Sequence, residues 1–119
     1  MKYMLLIYNN PDQEPKYGTK PFEDMMNGFF AASERMRNDK VLCDGEGLQG
    51  IETATCLRIK SGKVETMDGP VAETREHLGG YYVVDVADID SALEYAALIP
   101  SASFGTIEER PLMDYNPAG

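Results

Sequence analysis

Apolar residues along this chain follow two periodicities, one typical of strands and one typical of helices. Residues 2–8 form a nearly continuous apolar run, the pattern of a strand that is covered on both faces or lies at the centre of a sheet. Residues 22–36 carry apolar side chains at intervals of three and four, and Thr19 and Pro21 suit the first turn of a helix there. The pattern predicts a buried strand, a loop over residues 10–18 and an amphipathic helix.

The second half of the chain predicts further strands and one shorter helix. Two β-prone runs flank Ser61 and Gly62, which predicts a β-hairpin across this pair. Asp88 suits the N-cap of a short helix, and Pro100 is expected to end that helix. The predicted apolar face of this helix consists of Ile89, Ala92, Leu93, Ala96 and Ile99. The strands predicted in this part of the chain are residues 41–48, 53–60, 63–68, 81–86 and 105–110.

The predicted order of elements is β-α-β, a β-hairpin, and β-α-β again. Without the hairpin this is the split βαβ, or ferredoxin-like, arrangement, so we predict an α+β fold with an antiparallel sheet and both helices on one face. The other face carries apolar side chains, which must be buried against another layer. We therefore predict a homodimer in which two sheets face each other. A chain of 119 residues is expected to form one domain, here residues 1–112, with residues 113–119 as a C-terminal tail.

Composition and charge narrow the class of protein. The net charge of −9 argues against direct binding to nucleic acid and to anionic membranes, although one local arginine would suffice for an anionic ligand. There is no apolar run long enough for a membrane span, and the first apolar run is too short for a signal peptide, so we expect a cytoplasmic protein. Cys43 and Cys56 lack CxxC spacing and are expected to be reduced structural thiols. With a single histidine, no metal site and no cofactor are predicted.

The connection between residues 68 and 80 carries most of the candidate chemistry. Asp68, Glu73 and Glu76 supply carboxylates that can divide acid and base roles in a cavity, and Arg75 can hold a carboxylate or phosphate at two points. His77 is a candidate general base, because an imidazole exchanges protons near neutral pH. Asp68, Glu73 and Arg75 are the predicted ligand contacts. The structural alternative is a simple turn with solvated carboxylates, an ion pair across a dimer and an exposed histidine.

Two sets of apolar and aromatic side chains leave a choice between packing and ligand binding. The methionine-rich stripe of the first helix suits an ordinary core better than a ligand site. Tyr3, Tyr8, Tyr81 and Tyr82 lie on predicted strands, where alternation sends neighbours to opposite faces of the sheet. Tyrosines on the face away from the helices are expected to complete an interface or to line a cavity between protomers.

Several short motifs in a fixed order resemble the YCII-related proteins of the DGPF subgroup. The resemblance covers residues 1–112. It implies a dimeric α+β barrel of two ferredoxin-like protomers in the bacterial cytoplasm, without a settled activity. The motifs are residues 4–8, the turn 45–48, the hairpin, 68–70, 73–76, 79–82, 88–100 and 107–111.

The chain departs from the family pattern at three places, and these bear on function. Val71 stands where phenylalanine is usual, and Arg75 where lysine is common. The first helix has no histidine, so the His–Asp pair proposed for the wider family does not carry over to this chain. Two hypotheses follow: a protein that binds a small molecule near residues 68–77 for cofactor-free acid–base chemistry, or a non-catalytic module with a regulatory protein partner. The second draws on the resemblance, which implies a link to extracytoplasmic-function sigma factors.

Overall fold

The computed structural model describes residues 1–72 and 74–115. Its strands are β1 (Lys2–Asn9), β2 (Leu42–Gly47), β3 (Thr55–Lys60), β4 (Lys63–Asp68), β5 (His77–Asp85) and β6 (Gly105–Pro111), and its helices are α1 (Lys20–Asn38) and α2 (Ile89–Ala96). Four strands form an antiparallel sheet in the order β2-β5-β1-β6, and β3 pairs with β4 in a separate two-stranded sheet. This is the strand order of the ferredoxin-like fold with an added hairpin, so the predicted α+β architecture is confirmed for the single chain.

The central position predicted for the first strand is also confirmed. β1 pairs with β5 on one side and with β6 on the other. β5 begins at His77, earlier than the predicted start at residue 81, because residues before 81 continue the strand pairing with β1 and β2. A Cβ atom on Gly80 would lie 2.7 Å from the carbonyl oxygen of Glu46, so only glycine allows the backbones to approach this closely.

Both ends of α1 are held by hydrogen bonds that involve the residues flanking it, Thr19 and Asp39. Thr19, which the sequence places with Pro21 at the first turn, is the N-cap, because its Oγ1 accepts a hydrogen bond from the amide of Phe22 at 3.3 Å. At the other end, Asp39 accepts hydrogen bonds from the Tyr95 hydroxyl at 2.7 Å and from Arg35 Nε at 2.9 Å. The hydrogen bond from Tyr95 is the largest cause of a lowered pKa of Asp39, and the hydrogen bond from Arg35 lowers this pKa further. Asp39 thus ties the end of α1 to α2.

α2 begins as predicted but ends earlier. Asp88 Oδ1 accepts a hydrogen bond from the amide of Ser91 at 2.9 Å, which confirms the N-cap. The helix stops at Ala96, and Pro100 opens a separate 3₁₀ helix (Pro100–Ser103), so the prediction that Pro100 ends α2 is wrong. Two residues assigned to the apolar face of α2, Ile89 and Leu93, are exposed, since the helix turns its two buried alanines, Ala92 and Ala96, to the sheet.

Gly28 lies inside α1, where glycine normally costs about 1 kcal/mol relative to alanine. A Cβ atom at this position would lie 2.7 Å from Cγ of Pro100, so the glycine allows a close approach between α1 and the 3₁₀ helix. We expect Gly28→Ala to destabilise the protein by about 1–3 kcal/mol despite its better helix propensity. Urea unfolding measures this, with Asn27→Ala at the exposed neighbouring position as the control; a Gly28→Ala variant as stable as wild type would contradict the expected clash.

The core lies between the helices and one face of the sheet. Leu5, Met36, Val84 and Ile99 are among its fully buried side chains. Tyr3 and Tyr82 also point into this core, which confirms the alternation predicted for tyrosines on the strands. These side chains bury the apolar surface that makes the fold stable.

The opposite face of the sheet, which we call the open face, carries Met4, Leu6 and Tyr8 of β1, and these side chains are only half-buried. Within the described residues, the core cluster includes none of them. Tyr8 donates a hydrogen bond to Glu108 Oε1 at 3.4 Å on this face. The Tyr81 hydroxyl donates to Asp44 Oδ2 at 3.1 Å, and this hydrogen bond raises the pKa of Tyr81. The open face therefore mixes apolar and acidic groups.

Glu109 is a buried carboxyl on the helix side of the edge strand β6, opposite Leu5. Both of its oxygens are buried without a hydrogen-bond partner among the described residues, and burial raises its pKa above the ordinary 4.5. A carboxyl whose pKa is raised by folding is neutral in both states at low pH. It destabilises the folded state increasingly as pH rises from the ordinary pKa through the raised one.

We therefore expect Glu109→Gln to raise the melting temperature at pH 8 more than at pH 4, and to flatten the fall in stability between them. Thermal unfolding of both proteins across this range measures the effect. Glu108→Gln, at the exposed neighbouring position, is the control and should leave the shape of the profile unchanged. Parallel profiles for wild type and Glu109→Gln would show that this carboxyl is ionised and solvated in the folded protein.

Candidate functional site

A cleft of about 610 Å³ opens between α1 and the end of the sheet where β1 finishes and β5 begins. Its volume lies in the range of roughly 300–1,000 Å³ that is typical of small-molecule sites. Residues of α1 form one wall, and residues of β1, β2 and β5 form the other. None of the helices within residues 1–72 and 74–115 has the length and apolar character needed to cross a membrane.

The α1 wall of the cleft is apolar and aromatic. It consists of Phe22, Met25, Met26, Phe29 and Phe30, which recur at three- and four-residue spacing on one side of the helix. The sequence favoured a core role for this stripe, and the structure divides it. Its C-terminal end, at Ala32 and Met36, is buried core, whereas its N-terminal part lines the cleft and leaves Phe30 65% exposed.

Hydroxyl, amide and imidazole groups line the cleft beside these apolar side chains. Ser33 Oγ and the Tyr82 hydroxyl lie 2.8 Å apart in a hydrogen bond that either atom can donate. Asn9 and His77 are paired residues of β1 and β5, and both line the cleft. The pair of hydroxyls can both donate to and accept from a bound molecule, which suits a phenol or a carbonyl group.

Four glycines lie on the strand side of the cleft, and one of them, Gly47, faces open space. A Cβ atom on Gly45 would lie 2.7 Å from the Tyr82 ring, whereas a Cβ atom on Gly47 would have no neighbour within 4 Å. Gly79 and Gly80 of β5 also line the cleft. The sequence identified these glycines as turn and backbone positions only. In the fold, the missing side chain of Gly47 is part of what makes the cleft, whereas Gly45, Gly79 and Gly80 allow neighbouring protein atoms to pack closely.

The residues predicted from the polar connection are dispersed in the structure. Asp68 ends β4 at the base of the hairpin and is exposed, as is Arg75. Glu76 is half-buried and accepts a hydrogen bond from Thr106 Oγ1 at 3.2 Å. Of these candidates only His77 lines the cleft, and Glu73 lies outside the described residues. The catalytic and binding roles of Asp68, Glu73, Arg75 and Glu76 remain predictions.

Metal and redox chemistry have few candidate groups in the described part of the chain. Residues 1–72 and 74–115 contain no cluster of three or more histidine, cysteine, aspartate or glutamate side chains suited to hold a metal ion. Cys43 and Cys56 are free, and the Cys56 thiol donates to the carbonyl of Gly69 at 3.1 Å. This hydrogen bond is consistent with the structural role predicted for Cys56.

Comparison with known proteins identifies the family. The model of the YCII-related domain matches residues 1–116. This chain belongs to the YCII-related domain family. Among curated relatives, an uncharacterised protein of Rhizobium meliloti (strain 1021) is 34% identical over an alignment of 119 positions that covers 98% of this chain and 96% of that protein. The family predicted from the motifs is confirmed.

A solved structure with a similar fold is the 5-chloro-2-hydroxyhydroquinone dehydrochlorinase TftG from Burkholderia phenoliruptrix AC1100, in complex with 2,5-dihydroxybenzoquinone. It superposes with a TM-score of 0.52 over 95% of this YCII-related chain and 94% of its own, at 8% sequence identity. This similarity shows a shared fold and supports the ferredoxin-like description of the single chain.

Proposed function

We propose that this YCII-related protein binds a small hydroxylated aromatic molecule in the cleft between α1 and the sheet. The observation that carries the proposal is the combination of a phenylalanine- and methionine-rich wall with the hydrogen-bonded pair Ser33 and Tyr82. Small-molecule sites are typically mostly apolar with a few placed polar groups, and this cleft has that composition. Aromatic rings on α1 offer faces and edges against which a planar ligand can pack.

The compound class also draws on the structural neighbour. TftG was solved with 2,5-dihydroxybenzoquinone, a planar ring that carries both hydroxyl and carbonyl oxygens. A ligand of this chemistry would meet apolar side chains on its ring and the Ser33–Tyr82 pair on its oxygens. TftG suggests the class of probe to test, whereas the argument that this chain binds a small molecule rests on its own cleft.

His77 adds an acid–base reaction to this proposal. It lies at the first position of β5 and lines the cleft, where it would exchange a proton with a bound hydroxyl without a metal or an organic cofactor. Arg75 lies two residues before it, and we propose that it attracts an anionic substituent of the ligand, with Asp68 and Glu73 as further contacts. The proposed contacts of Arg75, Asp68 and Glu73 with the ligand are supported by the sequence alone.

We also propose that the protein is a DGPF-type member and forms a dimeric α+β barrel through its open face. The motif Asp68-Gly69-Pro70 and the ordered motifs along the chain support the subgroup. The half-buried Met4 and Leu6 on the open face support the dimer, because a second sheet would remove them from water. On this proposal, residues 1–112 act as one domain of a cytoplasmic protein.

Titration of the ¹⁵N-labelled protein with 2,5-dihydroxybenzoquinone tests the binding proposal by NMR. We expect saturable shifts in the amides of α1 residues 22–33 and of residues 77–82. Tyr82→Phe should weaken binding by about fivefold, roughly 1 kcal/mol, because it removes one hydroxyl of the pair. Tyr8→Phe is the control, since that tyrosine lies on the open face. Shifts confined to other surfaces, or no saturation for this probe or related phenols, would refute the proposal.

The alternative function is a non-catalytic interaction module with a regulatory partner such as a sigma factor. The observation in its favour is a hairpin that exposes Leu57, Ile59 and Val64. The two functions differ in where binding occurs. Affinity for a protein that depends on the hairpin, together with an empty cleft in the titration, would favour the module.

A further inference from the structure

The cleft contains a second polar pair, Asn9 and His77, at the end of the sheet. These residues lie directly opposite each other on β1 and β5, and both line the cleft. Side chains at opposite positions of an antiparallel pair have Cβ atoms roughly 4.5–5.5 Å apart. A carboxamide and an imidazole at this spacing can contact the same substituent of a ligand.

The carboxamide of Asn9 is placed for a partner that the chain itself does not supply. Its Oδ1 is buried and has no hydrogen-bond partner within residues 1–72 and 74–115. Leaving a buried acceptor unpaired costs free energy, so such a group in a folded protein calls for an explanation. Its Nδ2 lies over Gly79, where a Cβ atom would overlap it. Rotation about the Cβ–Cγ bond exchanges the two atoms, and this torsion is soft in asparagine, so Asn9 can offer a donor or an acceptor to a ligand.

Asn9 lies far from the Ser33–Tyr82 pair. Leu5 is the residue of β1 opposite Tyr82, and Asn9 follows it four positions later on the same strand. At a rise of about 3.3 Å per residue these two positions are roughly 13 Å apart. The Tyr82 ring lies over Gly45 of β2, and its hydroxyl meets Ser33 of α1. The hydroxyl pair therefore stays at its own end of the cleft and does not extend along the sheet to Asn9.

The floor of the cleft between the two polar pairs is apolar. Ile7 and Gly80 lie opposite each other there, and both line the cleft. A single ring with an oxygen at each end is shorter than the distance between the pairs, so it contacts one pair at a time. A longer ligand, with apolar atoms in the middle and a polar group at each end, matches the whole cleft.

We propose that the Asn9–His77 pair is a second polar subsite of the cleft, and that the ligand is a phenol with a side chain that ends in an amide. The phenol would lie at Ser33 and Tyr82, the linker over Ile7, and the amide at Asn9. Two amides can pair at two points, since each has an N–H donor and a carbonyl acceptor. The inference rests on the proposed function and extends it by naming the second substituent of the ligand.

A matched pair of probes tests this subsite by isothermal titration calorimetry. N-acetyltyramine is a phenol with an ethyl linker and an acetamide, and para-ethylphenol has the same ring and linker without the amide. We expect the wild type to bind N-acetyltyramine about tenfold more tightly, because its amide supplies hydrogen bonds that para-ethylphenol lacks.

Substitutions in the two pairs should affect the two probes differently. Asn9→Leu is close in shape but has no hydrogen-bonding group, so it should bring the two affinities within about twofold of each other. It replaces a buried oxygen that has no partner, so we expect it to fold as well as the wild type. Asn9→Ala is a second variant with the same expected loss of preference. Tyr82→Phe is the matched control, because it should weaken both phenols alike and keep the preference for N-acetyltyramine.

A preference that is lost in both Asn9 variants and kept in Tyr82→Phe would support the proposal. Equal affinity of the wild type for the two probes, or a preference that survives in both Asn9 variants, would overturn the second subsite while leaving the binding of a phenol in the cleft. Failure of N-acetyltyramine to bind a protein that binds 2,5-dihydroxybenzoquinone would also overturn the subsite alone. No binding of any of the three compounds would refute the proposed function together with it.

Discussion

Gly47→Phe is expected to abolish ligand binding in the cleft without unfolding the protein. A Cβ atom at position 47 would have no neighbour within 4 Å, so a larger side chain finds open space there. Gly45, two residues earlier on β2, lies against the Tyr82 ring, and alternation places position 47 on the same side of the sheet. Phenylalanine also suits a strand better than glycine. The new ring would occupy the space that a planar ligand needs.

We expect the affinity of a hydroxylated aromatic probe to fall by about two orders of magnitude, roughly 2.7 kcal/mol. Titration of the wild type and the variant, followed by amide shifts in α1, measures this loss. Gly47→Ala is the matched control, because it makes the same change in the backbone but leaves most of the cleft empty, and it should bind nearly as well as wild type. Undiminished binding to a folded Gly47→Phe protein would place the ligand outside this cleft.

Met36→Ala is expected to lower the free energy of unfolding by about 2–5 kcal/mol. Met36 has no exposed surface and packs where α1 crosses the core, so truncation removes buried apolar atoms and leaves a cavity. Chemical unfolding monitored by circular dichroism measures the change. Met26→Ala is the control on the same helix, because Met26 is 36% exposed at the cleft and should cost about 1 kcal/mol or less. Equal losses for the two variants would mean that the stripe of α1 is not divided between core and cleft.

The two predictions together distinguish the cleft from the core. A loss of binding with normal stability in Gly47→Phe, and a loss of stability in Met36→Ala, would show that the cleft and the core are independent parts of the fold. Met26 lies on α1 at the cleft. Its truncation should affect ligand affinity more than stability.

The YCII-related family and the main elements of the fold could be predicted from the sequence because their signals are local. The two N-caps at Thr19 and Asp88 each depend on one side chain and an amide three residues ahead. The hairpin depends on Ser61 and Gly62, whose φ angles of 52° and 78° are those of a tight turn between strands. Alternation likewise predicts that neighbouring strand tyrosines face opposite sides of the sheet, and the structure places Tyr3 and Tyr82 on the helix side.

The position of the cleft could not be predicted in this way, because it depends on where separate elements meet. Periodicity placed the apolar residues of α1 on one side of the helix, but only the tertiary structure shows that the sheet covers Met36 and leaves Phe30 at the cleft. Similarly, Asp68 and His77 belong to one polar connection in the sequence but separate in space, with Asp68 at the base of the β3–β4 hairpin and His77 at the cleft. Local hydrogen bonds and side-chain alternation determine elements, whereas a cavity is the space that packed elements fail to fill.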